Sequence, residues 1–187
     1  MKKRLTLIQM DVHVNDVEYN YNRVQELLTQ SLTENPDIIV LPETWNTGFH
    51  PSDDLITIAD RNGERTKSLL TAFAKEHNVN IVGGSVAVAK DDLVFNTSYA
   101  YNREGTLVGE YSKMHGFSPA KEDKYFASGT HTTHFKLDGI PCSTVICYDI
   151  RFPELVRMAA LPGTELLFVP AQWPTMRLRH WQVLNEV

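Results

Sequence analysis

Apolar residues in this chain recur with two periods, and the changes between them divide it into elements. Arg4 to Met10 mixes apolar and polar positions as a first strand does. Asp16 then suits the cap of a helix in which Val17, Tyr21, Val24 and Leu28 recur at spacings of 4, 3 and 4, one buried stripe. Asn35-Pro36 stops that helix, and Asp37-Ile-Ile-Val-Leu41 is a short apolar strand ending in Pro42-Glu43. Gly48, Pro51 and two aspartates predict a loop from Thr44 to about Asp54. A second helix is predicted from near Glu64 to His77, with Leu69, Leu70, Phe73 and Ala74 inward.

Val79–Val88 reads as one strand interrupted by Gly83-Gly84, a sign of a bulge or a close backbone approach. Leu93–Tyr101 and Thr106–Tyr111 pair as a hairpin. A long loop, His115 to about Thr133, precedes strands His134–Leu137 and Ile140–Ile146, joined tightly by Asp138-Gly139. Pro153 opens a helix with Glu154 at its positive end, and Leu155, Val156 and Ala159 supply its buried side. Pro162-Gly163 turns into a strand, Glu165–Val169, and a further helix begins within the segment Pro170–Trp181. Alternating βα units and hairpins, without repeats or linkers, predict a mixed α/β domain with helices over sheet faces.

Composition narrows the function classes. With 187 residues, 42% of them hydrophobic and 22% charged, the chain fits one soluble globular domain. A net charge of −5 without a basic cluster argues against nucleic-acid binding. No apolar run approaches the ~20 residues that span a bilayer, so no membrane partner is expected. Met1-Lys-Lys-Arg leads straight into a strand with no small-residue cleavage site, unlike a secretory signal. Two cysteines without a disulfide framework suggest a reducing, cytoplasmic setting.

Those cysteines lie on one predicted strand. At about 3.3 Å per residue they are some 16 Å apart and on opposite faces, too far to bridge. Cys142 reads as core packing. Cys147 stands where the strand gives way to a turn, the placement a nucleophile needs, although most free cysteines are small buried hydrophobes. Two other reactive side chains also follow apolar strands: Glu43 after Ile38–Leu41 and Lys113 after Thr106–Tyr111. Sites in α/β sheets form at the carboxyl ends of strands, so neighbouring strands would bring the three together. A carboxylate that takes a thiol proton and an ammonium that stabilises an oxyanion describe acyl transfer through a thioester.

Leu41-Pro-Glu43, Tyr111-x-Lys113-x-His115 and Ile146-Cys147-Tyr-Asp-x-Arg151-Phe-Pro153 resemble, in order, the three motifs of the nitrilase superfamily of carbon–nitrogen hydrolases. The resemblance covers nearly the whole chain. It implies an αββα four-layer sandwich that forms a homodimer and needs neither cofactor nor metal. It also implies Glu43 as general base, Lys113 as oxyanion stabiliser, Cys147 as nucleophile and the Tyr148 backbone N–H as a second oxyanion donor. Gln172-Trp173-Pro174, Arg177 and His180-Trp181, with the Cys-Tyr-Asp-x-Arg-Phe run, look like the omega-amidase (2-oxoglutaramate amidase) branch, which cleaves the terminal amide of small ω-amido acids.

A substrate carboxylate would want a cation, and Arg151, Arg177 and Arg179 are nearest in sequence, with Trp173 as a possible wall; Arg151 equally suits an ion pair with Asp149. Glu122 matches the second glutamate of many family members and would orient Lys113 or the leaving amine; within Lys121-Glu-Asp-Lys124 it equally suits a solvated charge. The family pattern continues past residue 181 through further strands and helices, so the single domain of residues 1–187 reads as incomplete at its C-terminal end. A nitrilase, an N-carbamoyl amino-acid amidohydrolase and a catalytically silent binding protein are the rival readings. His131-x-x-His134 lacks a third ligand at a fitting spacing for a metal, and His115 suits either the pocket or the structure. Phe49, Phe117 and Phe126 sit in loops flanking the motifs, where they would form a lid. Trp45 and Trp181 suit pocket or core alike.

Overall fold

The computed structural model describes residues 2–186. In chain order its elements are β1 (Leu5–Leu7), α1 (Val17–Ser31), β2 (Ile38–Val40), α2 (Leu55–Ile58), β3 (Asp60–Arg61), α3 (Glu64–His77), β4 (Asn80–Val82) and β5 (Val86–Lys90). Then come β6 (Leu93–Tyr101), β7 (Leu107–Ser112), α4 (Glu122–Tyr125), β8 (His134–Leu137), β9 (Ile140–Thr144), α5 (Pro153–Ala160), β10 (Leu166–Phe168) and α6 (Leu178–Asn185).

Local chemistry fixes most of these boundaries. The Asp16 carboxylate accepts the Tyr19 N–H at 3.1 Å and starts α1, and Asn35 ends the following turn with φ +48°. Asp138 and Gly139 both take positive φ, the backbone of a two-residue hairpin turn. Elements without a strong local signal differ from expectation: α4 lies inside the loop predicted from His115 to about Thr133, and α2 and β3 fill the stretch between Asp54 and Glu64 for which no element is predicted.

A seven-stranded sheet carries β1-β2-β4 in parallel, then β6, with β7 on its far side. The predicted Val79–Val88 strand is β4 and β5 laid end to end along one side of β6, broken at Gly83-Gly84. Gly84 has φ +62°, and a Cβ there would meet the Pro42 carbonyl and the Leu41 backbone. Only glycine lets the strand pass so close beneath the segment that ends in Glu43.

A second sheet, β10-β9-β8, lies against the first. Side-chain alternation shows the layers. Ile38, Val40, Val82 and Ala100 face Phe135, Leu137, Cys142 and Phe168 of the second sheet. Ile39, Leu41, Ile81, Tyr99 and Tyr101 turn the other way, onto Tyr21, Val24 and Leu28 of α1 and Leu70, Phe73 and Ala74 of α3. On the outer face of the second sheet, Val145 and Leu167 meet Leu155 and Ala159 of α5. The order is therefore helix, sheet, sheet, helix, an α/β sandwich of the expected αββα kind. Truncating a fully buried Ile39 or Leu28 to Ala would remove about 2–5 kcal/mol of stability. Among the described residues, no helix is long and apolar enough to cross a membrane.

Candidate active site

Glu43, Lys113 and Cys147 do meet, though not by way of adjacent strands. β2 and β7 are separated by β4 and β6, and β9 belongs to the other sheet. Convergence comes from the stacking of the two sheets, whose strand exits open into one cleft between them.

The exits at Glu43 and Cys147 are tight turns. After Glu43, Thr44 has φ +42°, and its N–H donates to Ser85 Oγ at 3.0 Å while Ser85 N donates to the Pro42 carbonyl. Cys147 has φ +48° at the head of a 3-10 turn, and its N–H donates to the Pro170 carbonyl at 2.9 Å. Non-glycine residues rarely adopt this backbone region, and its strain of roughly 1–3 kcal/mol persists where surrounding contacts over-determine it.

Asp149 supplies many of those contacts. Its fully buried carboxylate accepts from Tyr111 Oη at 2.7 Å, Ile146 N at 3.0 Å and His115 N at 2.9 Å, with His115 Nδ1 also at 3.0 Å. Burial, with the Asp149 charge behind it, pushes the Tyr111 phenol far up and keeps it the donor. The carboxylate is thus fully engaged, and the alternative of an Asp149–Arg151 ion pair is ruled out. His115 stacks on Phe152 at 3.6 Å instead of lining the cleft.

Behind the thiol, Lys113 Nζ lies 2.8 Å from Glu43 Oε1 and 2.9 and 2.8 Å from the two oxygens of Glu122. Glu122 is buried on α4, also accepting the Phe117 N–H at 2.7 Å, so it is no solvated surface charge. Glu43 Oε2 accepts the Gln172 N–H at 2.7 Å, and Gln172 Nε2 donates back to the Glu43 carbonyl at 2.6 Å. Cys147 Sγ lies 3.9 Å from the Gln172 carbonyl and close enough to Glu43 to feel its charge.

Burial pushes the Cys147 thiol well above its ordinary value and the Glu43 charge adds to this, outweighing Lys113. Burial alone would lower Lys113, but Glu43 and Glu122 hold its ammonium above the usual lysine range. Burial also raises Glu122. Burial and the Glu43 charge together thus leave the resting thiol protonated.

The cleft opens as a cavity of about 160 Å³ lined by Phe49, Phe117, Tyr148 and Trp173, with Lys113 and Cys147 at its base and Arg151 and Arg177 alongside. None of its lining side chains is acidic. The Arg177 guanidinium lies 5.3 Å over Phe117 and that of Arg151 5.7 Å over Tyr148; among the described residues neither forms an ion pair. Arg179 is exposed and does not line the cavity. Phe126 and Trp45 are core residues, and Trp181 packs on Trp173 at 5.2 Å. Tyr148 follows Cys147 in the first turn of its 3-10 segment, where a backbone N–H has no acceptor within the helix. Both cysteines are free, and among the described residues no three metal-ligating side chains cluster.

Sequence reasoning did not reach Asn96 and gave Asp149 and Gln172 no site role. Asn96 is a polar residue in a buried strand, which was the available signal.

Residues 4–187 match the family described as carbon-nitrogen hydrolase. The chain is 39% identical over 184 residues to a 2-oxoglutaramate amidase of Bacillus subtilis, covering 98% of this chain and 70% of that protein. It is 29% identical to an omega-amidase NIT2 of Danio rerio, covering 99% of this chain and 69% of the other. A solved carbon–nitrogen hydrolase superfamily protein of Xanthomonas campestris, with an arsenic adduct in its active site, superimposes with a TM-score of 0.86 at 28% identity, covering 97% and 69% of the two chains.

Proposed function

The chain belongs to the carbon–nitrogen hydrolase family, and from that premise we propose that it is a cysteine amidase hydrolysing the terminal amide of a small ω-amido carboxylic acid of the 2-oxoglutaramate type. The observation that carries this reading is one buried thiol, with a carboxylate base and an ammonium nearby, at the base of a cavity lined among the described residues by the cations Lys113, Arg151 and Arg177.

In the proposed reaction the Cys147 proton passes to Glu43 as Sγ attacks the amide carbon. Because the thiol rests protonated, the transfer accompanies attack instead of preceding it. The carbonyl oxygen becomes an oxyanion held by Lys113 and the Tyr148 N–H. Lys113 has three N–H donors, and a chelating Glu122 needs only one of them shared between its oxygens, which leaves one for the substrate. The proton on Glu43 goes to the nitrogen, the C–N bond breaks and ammonia leaves. Water then gives a proton to Glu43 and attacks the thioester, releasing the carboxylic acid and restoring the thiol. Every proton is accounted for by Glu43, and no cofactor enters.

Arg151 and Arg177 are the proposed receptors for the far carboxylate, with Trp173 as the wall between the ends of the substrate. Their freedom from internal ion pairs supports this. We further propose a homodimer in a reducing, cytoplasmic setting, supported by the two free thiols and by exposed Met158, Leu161 and Leu178.

Ammonia release from a panel of ω-amido acids, their descarboxy amides, nitriles and N-carbamoyl amino acids tests the substrate class. The expected result is turnover of ω-amido acids, with KM raised about tenfold or more in Arg151→Met or Arg177→Met, the scale of losing one charge-assisted hydrogen bond. Equal turnover of the descarboxy amides, or KM unchanged in both variants, would overturn the carboxylate receptor. A preference for nitriles or carbamoyl compounds would reassign the substrate within the family.

A further inference from the structure

The buried charges behind Cys147 are arranged around a neutral residue that the reaction scheme does not use. Asn96, in the middle of β6 and 1% exposed, donates from Nδ2 to Glu43 Oε1 at 3.0 Å and to Glu122 Oε1 at 3.2 Å. Those same two oxygens accept from Lys113 Nζ at 2.8 and 2.9 Å. Two donors and two acceptors therefore close a four-membered ring, with the amide on one side and the ammonium on the other.

The orientation of the amide is not free. Turning it over would aim Oδ1 at two carboxylate oxygens. As placed, both hydrogens of Nδ2 are spent on the carboxylates.

We propose that Asn96 is a positioning residue for the hydrolytic reaction, its amide clamping the Glu43 and Glu122 carboxylates around Lys113 so that Glu43 is held with its other oxygen on the Gln172 side, beside the thiol. The inference rests on Glu43 being the base of the proposed reaction. The groups facing Glu43 are Lys113 at the exit of β7, Glu122 on α4, Cys147 in the turn after β9, the Gln172 N–H after β10 and Asn96 itself.

The sign of the effect follows from the charges. A donor to an ionised carboxylate favours the ionised form, whereas two acids sharing a dry site favour uptake of a proton. Removing the Asn96 donor shifts that balance, and the two carboxylates between them take up a proton at higher pH. A protonated Glu43 cannot receive the thiol proton, so the acid limb of the reaction moves up the pH scale.

The test compares wild type with Asn96→Leu, similar in size without donors, and Asn96→Ser, which keeps one hydroxyl donor. Two pH profiles are read: kcat/KM for amide hydrolysis, and the rate of Cys147 alkylation by iodoacetamide, located by mass spectrometry. In Asn96→Leu the acid limb of both profiles is expected to rise by about one pH unit, the scale of losing one charge-assisted hydrogen bond. Neutral-pH kcat should fall roughly 10–100-fold with KM little changed. Asn96→Ser should lie between.

Acid limbs that coincide with wild type, whatever happens to melting temperature, would overturn the proposal. If Asn96→Leu does not fold, Asn96→Ser alone decides by the same criterion. Alkylation needs no substrate, so a wild type that hydrolyses no amide would refute the proposed function while leaving the clamp tested.

Discussion

Two charge clusters sit at opposite ends of the same strands. At the entries to β2 and β9 and in the turn between β6 and β7, Asp37, Asp138 and Arg103 assemble with Lys3. Arg103 Nε and Nη2 reach Asp138 at 2.8 and 2.7 Å, Nη2 reaches Asp37 at 2.8 Å, and Lys3 Nζ reaches Asp138 at 2.7 Å. At the exits of β2, β7 and β9 stand Glu43, Lys113 and Cys147, with Glu122 beside them.

The side chains of the entry cluster keep 17–31% of their surface in water, whereas those of Lys113, Glu43 and Glu122 keep 0–3%. Partial hydration makes the entry cluster cheap to assemble and worth little, whereas the exit cluster strips three charges of water and recovers that only through close pairing. The first arrangement suits a clasp between sheets. The second fits the proposed chemistry, since an apolar filling would hold the same space at least as well.

Substitutions can sharpen that contrast, beginning with the largest effect. Cys147→Ala should abolish ammonia release while shifting the melting temperature by only a few degrees, because a small buried side chain is exchanged for a smaller one. Retained turnover would end the thioester mechanism. Lys113→Met should lower kcat by about 10²-fold or more. Unlike the cysteine change it should also remove about 3–5 kcal/mol of stability in urea unfolding, since two carboxylates are left buried without their cation.

Arg103→Met, at the entry end, should cost about 1 kcal/mol or less and leave kcat unaltered. Its signature is pH. The Arg103 hydrogen bond holds the Asp138 carboxyl well below the usual range. Asp138 therefore adds stability above the ordinary carboxylate pKa and loses it as pH falls through the depressed one. In Arg103→Met that acid-dependent portion should shrink, read as a flatter fall in unfolding free energy below about pH 4. A loss of activity there would blur the division between clasp and site.

The residues of both clusters were unevenly legible. Elements with local signals came through: Asp16 capping α1, the stripe of α3, and the Asp138-Gly139 hairpin turn. Glu43, Lys113 and Cys147 were found because each ends an apolar run and lies in a motif. Their route to one another was not, because strand order depends on pairings between segments far apart in sequence. Glu122 sits in a mixed-charge run whose burial is decided by Phe117 and Lys113, not by its neighbours in the chain. Asn96 and Gln172 contact Glu43 across 53 and 129 residues, and nothing local marks either as a partner.

Asp149 carries a further consequence. Its carboxylate grips Tyr111 and His115, two positions before and two after Lys113, and also Ile146, next to Cys147. The amine and the sulfur are thereby moored to a single post. Loosening that post would therefore displace both segments together, whereas a change on the far side of either one would displace it alone.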